Sequence, residues 1–433
     1  MNVCAPFVWI AVWSAVFLGA TTSAQDTLSP RDGFTQTTGG RGGRLVRVTN
    51  LESIGAGSLA EAFAATGPRI IVFEVGGVID LAGRNLRIAE PFVTVAGQTA
   101  PAPGITLIRG GLGISTHDVV LQHLRVQPGE AGRAKKSGWE IDGIGTVGGA
   151  HDIIVDHCSC TWSTDENLSA SGPRFEGDSV DAWRKATSHR ITFSNCLIAE
   201  GLSDSTHAKG EHSKGSLIHD NATDIAIFGN LYANNVERNP LFKGGARGIV
   251  VNNFIVNPGK RAIHFALVAD EWKGHPWVTG QMAIVGNLML GGADTTRQLP
   301  LVTHSRGPLE LYLANNQSLD ADGKSLPLQN ASAANTTNGC VLVKSPPLWP
   351  NSLKPLGVEK VRAAVLANAG ARPWDRDPID RRIIEQARNG SGRVINSEQE
   401  VGGYPEVNPT HEPFVPEDWN LETMQRRPSA AGK

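Results

Sequence analysis

Seven short segments share one alternation of apolar and polar residues: DVVLQH, DIIVDH, RITFSN, DIAIFGN, GIVVNN, MAIVGN and LELYLAN. Aligned on a closing polar residue, they place a large apolar side chain two positions earlier, at Leu121, Val155, Phe193, Phe228, Val251, Val285 and Leu313. The polar positions are His123, His157, Asn195, Asn230, Asn253, Asn287 and Asn315, and apolar residues resume behind most of them, at Leu124, Cys158, Cys196, Leu231, Phe254 and Leu288. Period-two alternation over so few residues predicts short strands. The segments recur at uneven intervals of about 23 to 38 residues, too irregular for ankyrin or leucine-rich repeats. Fixed strands joined by variable loops fit a single-stranded right-handed parallel β-helix, an all-β solenoid. In such a stack, equivalent residues of successive coils lie over one another. A polar bend position then becomes a hydrogen-bonded ladder, and the apolar positions fill the interior. A propeller or sandwich would need hairpins every ~8–12 residues, which this chain lacks.

RIIVFEVGGVIDL and FVTVAGQTAPAPGITLIRG read as earlier coils of the same stack. Beyond Leu348 the texture changes: VEKVRAAVLANAG and PIDRRIIEQARNG are helical patterns with glycine stops. The expected organisation is a β-helix over residues 25–348 and an extension over 349–433 that packs along it. Residues 1–24 read as a secretory signal: an apolar run from Pro6 to Ala20, then Thr22-Ser23-Ala24 as a small-residue cleavage site. The run is short for a membrane span, and no basic residue precedes it. A secreted, monomeric protein is the expectation.

Composition narrows the function classes. The 433 residues include 49 glycines, in keeping with a turn-rich β fold. With 40 basic against 42 acidic side chains, no bulk charge draws the chain to nucleic acid or to a membrane. Once the signal takes Cys4 away, Cys158, Cys160, Cys196 and Cys340 remain, enough for three alternative full pairings or for buried thiols. Cys158-Ser159-Cys160 has too short a gap for a zinc hook.

The polar residues outside ladder and core gather near the ends of successive repeats: Asp142 in WEIDGIG, Asp165 and Glu166 in WSTDENLS, Lys214 in HSKGSLIHD, and Arg238 and Lys243 in NNVERNPLFKGG. Stacked coils can bring them to one face. Clustered carboxylates repel unless a cation joins them, and an all-oxygen site suits calcium. Cations beside it suit an anionic polymer. The plain alternatives are Asp142 as a turn residue before Gly143, Arg238 as a loop cation paired with Glu237, and Trp162, Trp272 and Trp277 as packing. His157 with Asp156 reads as ladder, and His207, His212 and His219 make no metal-ligand spacing.

DGI, IIVDHCS, ITFSNC, HSKGSLI and RNPLFK, in this order and on this repeat, resemble the pectate lyase family of parallel β-helix polysaccharide lyases. The resemblance runs from about Gly33 to Asn316, and the tail from VLANAGARPW to GGYP resembles the ends of one branch. It implies calcium-assisted β-elimination from polygalacturonate, giving 4,5-unsaturated ends. Residue by residue, it implies Asp142 and Asp165 as calcium ligands and Arg238 as the base. Lys214 becomes a catalytic and substrate-carboxylate lysine, and Lys243 a substrate contact. Two departures stand out: Ser169, a weak calcium ligand, occupies a third aspartate position, so that either Glu166 supplies the missing charge or the site is looser and fills mainly when substrate brings its own carboxylates, and Lys243 replaces an arginine. The alternatives are a polygalacturonase-like hydrolase, a non-catalytic polysaccharide binder, and a calcium-independent pectin lyase. A hydrolase would need paired acid and base aspartates, which the chain does not present near a catalytic histidine.

Overall fold

The computed structural model describes residues 28–330 and 339–428. The signal-like segment and Cys4 lie outside them. Successive coils build three sheets of eleven, ten and eight strands, parallel throughout except for one antiparallel edge strand in the ten-stranded sheet. A representative coil runs through His117–Gln122, Leu124–Gln127 and Ile144–Thr146, and the next opens at His151–Asp156. The stack is a parallel β-helix, as the alternation predicts.

The interior rows follow from register. Leu121, Val155, Phe193, Ile227, Val250, Ile284 and Leu313 lie side by side on the eleven-stranded sheet. Burying each such side chain stabilises the stack by roughly 1.5–3 kcal/mol. Three residues of the sequence alignment are therefore displaced by one. Phe228, Val251 and Val285 face outward, under a cover that includes Leu28 and Leu353. In a strand, a one-residue slip moves a side chain to the other face.

The bend explains the slip. It holds two residues, and the first adopts positive φ: His123 (58°), His157 (49°), Asn195 (51°), Gly229 (69°), Asn252 (51°), Gly286 (65°) and Asn315 (52°). Glycine and asparagine tolerate that region best. The second residue carries the ladder. The Nδ2 of Asn230 donates to Asn253 Oδ1 at 2.9 Å, Asn253 to Asn287 at 3.0 Å, and Asn287 to Asn316 at 3.0 Å. The aligned set of histidines and asparagines thus mixes two neighbouring positions. Cys158 and Cys196 share one repeat position, as expected, but it is the second bend position, the one that carries the asparagine ladder in later coils. Both are buried free thiols, as are Cys160 and Cys340.

Helices Val358–Asn368 and Pro378–Asn389 lie on the outside of the ten-stranded sheet, with Val361, Val365 and Ile383 against Leu197, Leu231 and Phe254. Thr410–His411 adds an antiparallel strand to the edge of that sheet, beside Gly76 and Val75. Among the described residues no helix is long and apolar enough to cross a membrane.

The eight-stranded sheet is the one that matters for chemistry. Its outer row runs Gly113, Gly145, Ser169, Leu217, Leu241, His264, Thr303 in register. Loops 128–143, 200–213 and 234–240 enter its strands on one side. Loops 171–188 and 267–279 leave on the other, and Arg174 bonds Glu271 across them at 2.8 Å.

Candidate active site

Four successive coils deliver their polar residues to the entry edge of this sheet. Asp142 precedes the strand Ile144–Thr146, Asp165 precedes Glu166–Ala170, Lys214 opens Lys214–Ile218, and Arg238 precedes Leu241–Lys243. Glu166 and Lys214 are register partners, and Lys214 bridges on to Glu237. The stacking places residues more than twenty positions apart in sequence on adjacent strands.

Asp142, Asp165 and Glu166 each bring a carboxylate oxygen within 4.8 Å of the others. Asp142 accepts from the Glu166 backbone N–H at 3.1 Å and from Ser169 Oγ at 2.6 Å. Burial, together with repulsion from Asp165, pushes its carboxyl up to about 7. Asp165 is held below its usual value: burial alone would raise it, but a 2.7 Å hydrogen bond from His212 Nε2 and the nearby cations outweigh that. Ser169 thus serves as a hydrogen-bond donor to Asp142, and Glu166 supplies the third carboxylate.

Arg238 forms an ion pair with Glu166, not with its sequence neighbour Glu237. Burial pulls its guanidinium below its ordinary pKa, against the attraction of Asp165 and Asp142. Its Nε is buried with no hydrogen-bond partner among the described residues, and its φ of 64° lies in the left-handed region. A bulky residue persists there only when its surroundings determine it. Lys214 pairs with Glu237, which also pairs with Arg261. Burial works against the Glu237 charge, but these two cations dominate and lower its pKa to about 2.

The loop that carries Arg238 is fastened by asparagines. Asn235 Oδ1 accepts from Gly201 N at 2.9 Å and Asn167 Nδ2 at 3.2 Å, and its Nδ2 donates to Ile198 O and Asn239 Oδ1, both at 3.0 Å. A Cβ on Gly215 would lie 2.4 Å from Arg238 O, so only glycine lets the loop seat. Asn235→Ala is expected to destabilise the protein by roughly 2–4 kcal/mol, because it strands several buried partners at once. The urea midpoint measures this, and an unchanged midpoint would contradict it.

Lys243 stands apart from the group. It sits at the exit end of its strand, 3.3 Å from the buried Asp220 carboxylate and ion-paired to Glu271. Arg174 binds the same two carboxylates, at 3.0 and 2.8 Å. Two cations and two anions close on themselves. Trp162 and Trp272 are buried, donating to Glu200 (2.9 Å) and Asp220 (2.8 Å), whereas Trp277 is exposed beneath Arg306.

Histidines 207 and 212, which sequence spacing does not mark, stack 3.6 Å apart beside Asp165. Their signal is weak: two histidines in HAKGEH, one coil beyond TDEN. Arg261 and the amide of Asn235 are equally silent in the sequence. A second group, His123, Asp156 and His157, lies on another sheet, along a cavity of about 1090 Å³ beneath the C-terminal segment. Asp156 there is fully engaged by Ser194, Asn195, Gln122 and His157. That arrangement makes the group structural, as the sequence reading expects, but His157 occupies the positive-φ bend position, stacked on His123, and its neighbour Cys158 holds the ladder position.

The donor set at the entry edge fits a hard cation. Its three members are carboxylates, and Arg238 together with the His212 contact to Asp165 offsets only part of their mutual repulsion. A Cβ on Gly145 would lie 3.1 Å from Asp142 Oδ2 and 3.0 Å from Ser169 Oγ, so glycine keeps that space open.

No protein-family model matches the chain. Curated relatives are similar along most of it. A probable pectate lyase C of Aspergillus terreus is 30% identical over 399 residues, covering 91% of this chain and 85% of that protein. Another from Neosartorya fischeri is 31% identical over 369 residues, covering 84% and 78%. Among solved structures, a Bacillus subtilis pectate lyase mutant aligns with TM-score 0.52 at 17% identity, covering 80% of this chain and 98% of that one. A pectate lyase bound to a hexasaccharide aligns with TM-score 0.51 at 16% identity, over 80% and 98%. The fold is the same, and the sequence kinship spans nearly the whole chain: this protein belongs to the pectate lyase family.

Proposed function

We propose that the protein cleaves polygalacturonate by calcium-assisted β-elimination at the entry edge of the eight-stranded sheet. One observation carries the reading: a three-carboxylate group, a partly buried arginine and a buried lysine meet on adjacent strand starts. Asp142, Asp165 and Glu166 would hold calcium, with Ser169 orienting Asp142. Bound calcium supplies a Lewis acid for the uronate carboxylate and cancels the negative field that favours charged Arg238.

Arg238 is assigned as the base. An arginine in water stays protonated, but burial disfavours its charge here. Its neutral fraction takes the C5 proton, and the C–H electron pair becomes the C4–C5 double bond. The C4–O bond breaks, and the glycosidic oxygen departs with its electrons and acquires a proton. Lys214 binds the uronate carboxylate, exchanging its Glu237 partner for substrate, and so stabilises the enolate-like charge that develops. Lys243 is assigned a lesser role in substrate binding, because Asp220 and Glu271 already neutralise it. The signal-like N-terminus supports secretion.

The decisive assay follows the absorbance of conjugated unsaturated uronate during incubation with polygalacturonate. The expected result is an increase that a calcium chelator abolishes and added calcium restores. Reducing ends without absorbance would mean hydrolysis. An increase indifferent to chelation would mean a calcium-independent lyase.

A further inference from the structure

Asp165 does not stand alone at the carboxylate group. His212 Nε2 lies 2.7 Å from Asp165 Oδ1, and His207 Nε2 lies 3.8 Å from the same oxygen. The two rings stack at 3.6 Å between centroids and 15° between planes, and both are buried. The contact to Asp165 is the one side-chain hydrogen bond of His212 among the described residues. His207 is itself fixed: its Nδ1 accepts the Lys209 N–H at 3.1 Å, while Glu140 beside it takes the Ala208 N–H at 3.0 Å. Both histidines come from the loop 200–213, which runs over the carboxylates from the next coil and ends at Lys214.

A carboxylate that ligates a metal needs its plane held, or it loses rotational freedom at each binding event. Hydrogen-bond partners behind the ligands commonly do this. The imidazole suits the task, since its Nε2 makes one directed bond to the carboxylate. The His207 ring stacks on one face of the His212 imidazole and restricts its rotation.

We propose that His212, backed by His207, is a positioning residue for the cation site, fixing the Asp165 carboxylate for metal binding. This rests on the calcium reading of Asp142, Asp165 and Glu166 given above. The test is calcium titration by calorimetry on substrate-free protein, which reads affinity without turnover. His212→Phe keeps the stack and removes the donor, and is expected to weaken calcium binding ~10–100-fold. His212→Gln, which presents an amide N–H near the same place, is expected to recover most of that loss. A purely structural role would not predict the rescue. If His212→Phe does not fold, His212→Ala reads the same quantity without added bulk. Wild-type affinity in His212→Phe, or a glutamine variant no better than phenylalanine, would overturn the proposal. Asp165→Asn separates the two readings. If it too binds calcium like wild type, the assignment of the metal site itself is wrong.

Discussion

Arg238→Lys is expected to lower kcat on polygalacturonate by ~10²–10⁴-fold with a much smaller change in KM, the usual contribution of a positioned general base. The substitution keeps a cation in the same loop, so any role limited to attracting an anionic chain should survive it. Proton abstraction should not. The guanidinium reaches Glu166 from a backbone fixed at φ 64°, and Asn235 and Asn239 leave that backbone no freedom to follow a shorter side chain. A lysine ammonium is also a compact, strongly hydrated charge, with a different reach and no planar fork. Initial rates at saturating substrate and calcium, read from unsaturated uronate absorbance, decide the matter. A lysine variant that kept more than a tenth of wild-type kcat would remove Arg238 from the role of base. Circular dichroism and the melting temperature serve as folding controls.

Much of the site was legible because a β-helix converts sequence order into spatial adjacency. Once the strands are recognised, Asp142, Asp165, Lys214 and Arg238 fall near the starts of consecutive coils, and stacking at ~4.8 Å per strand brings them together. What the sequence did not disclose depends on quantities that a repeat pattern averages away. Aligning coils on asparagine merged the positive-φ residue with the ladder residue, because Gly229-Asn230 and Asn195-Cys196 divide the two bend positions differently. That shifted Phe228, Val251 and Val285 to the wrong face. Loop conformation hid the rest. Nothing local to Lys243 announces Asp220, Glu271 and Arg174, which reach it from two exit loops and a neighbouring strand end. Nothing local to Asp165 announces His212, 47 residues away. Charge type can be read from a motif, but charge partnership needs the loops.

Function and stability trade against each other at Asp142. Asp142→Asn is expected to weaken calcium binding by roughly two orders of magnitude, since ligand charge count sets affinity in oxygen sites. It should also make the calcium-free protein more stable at pH 8, by roughly 2–4 °C in melting temperature. The wild-type carboxyl is pushed up to about 7 by burial and by Asp165, above its ordinary 3.8. A group whose folded pKa is raised stabilises the fold through its bound proton. That contribution is complete below about pH 4 and is lost as pH rises through about 7. At pH 8 the wild type must therefore hold Asp142 charged beside Asp165, whereas asparagine holds no charge and still accepts from the Glu166 N–H. The difference between variant and wild type should shrink toward pH 5, where the wild-type carboxyl is protonated, and should reverse at pH 8 when calcium is added. Thermal melts at both pH values, each with chelator and with calcium, contain every arm of the test. Wild type more stable than Asp142→Asn at pH 8 without calcium would mean that the carboxylates are not in conflict. The case for a cation between them would then lose its physical basis.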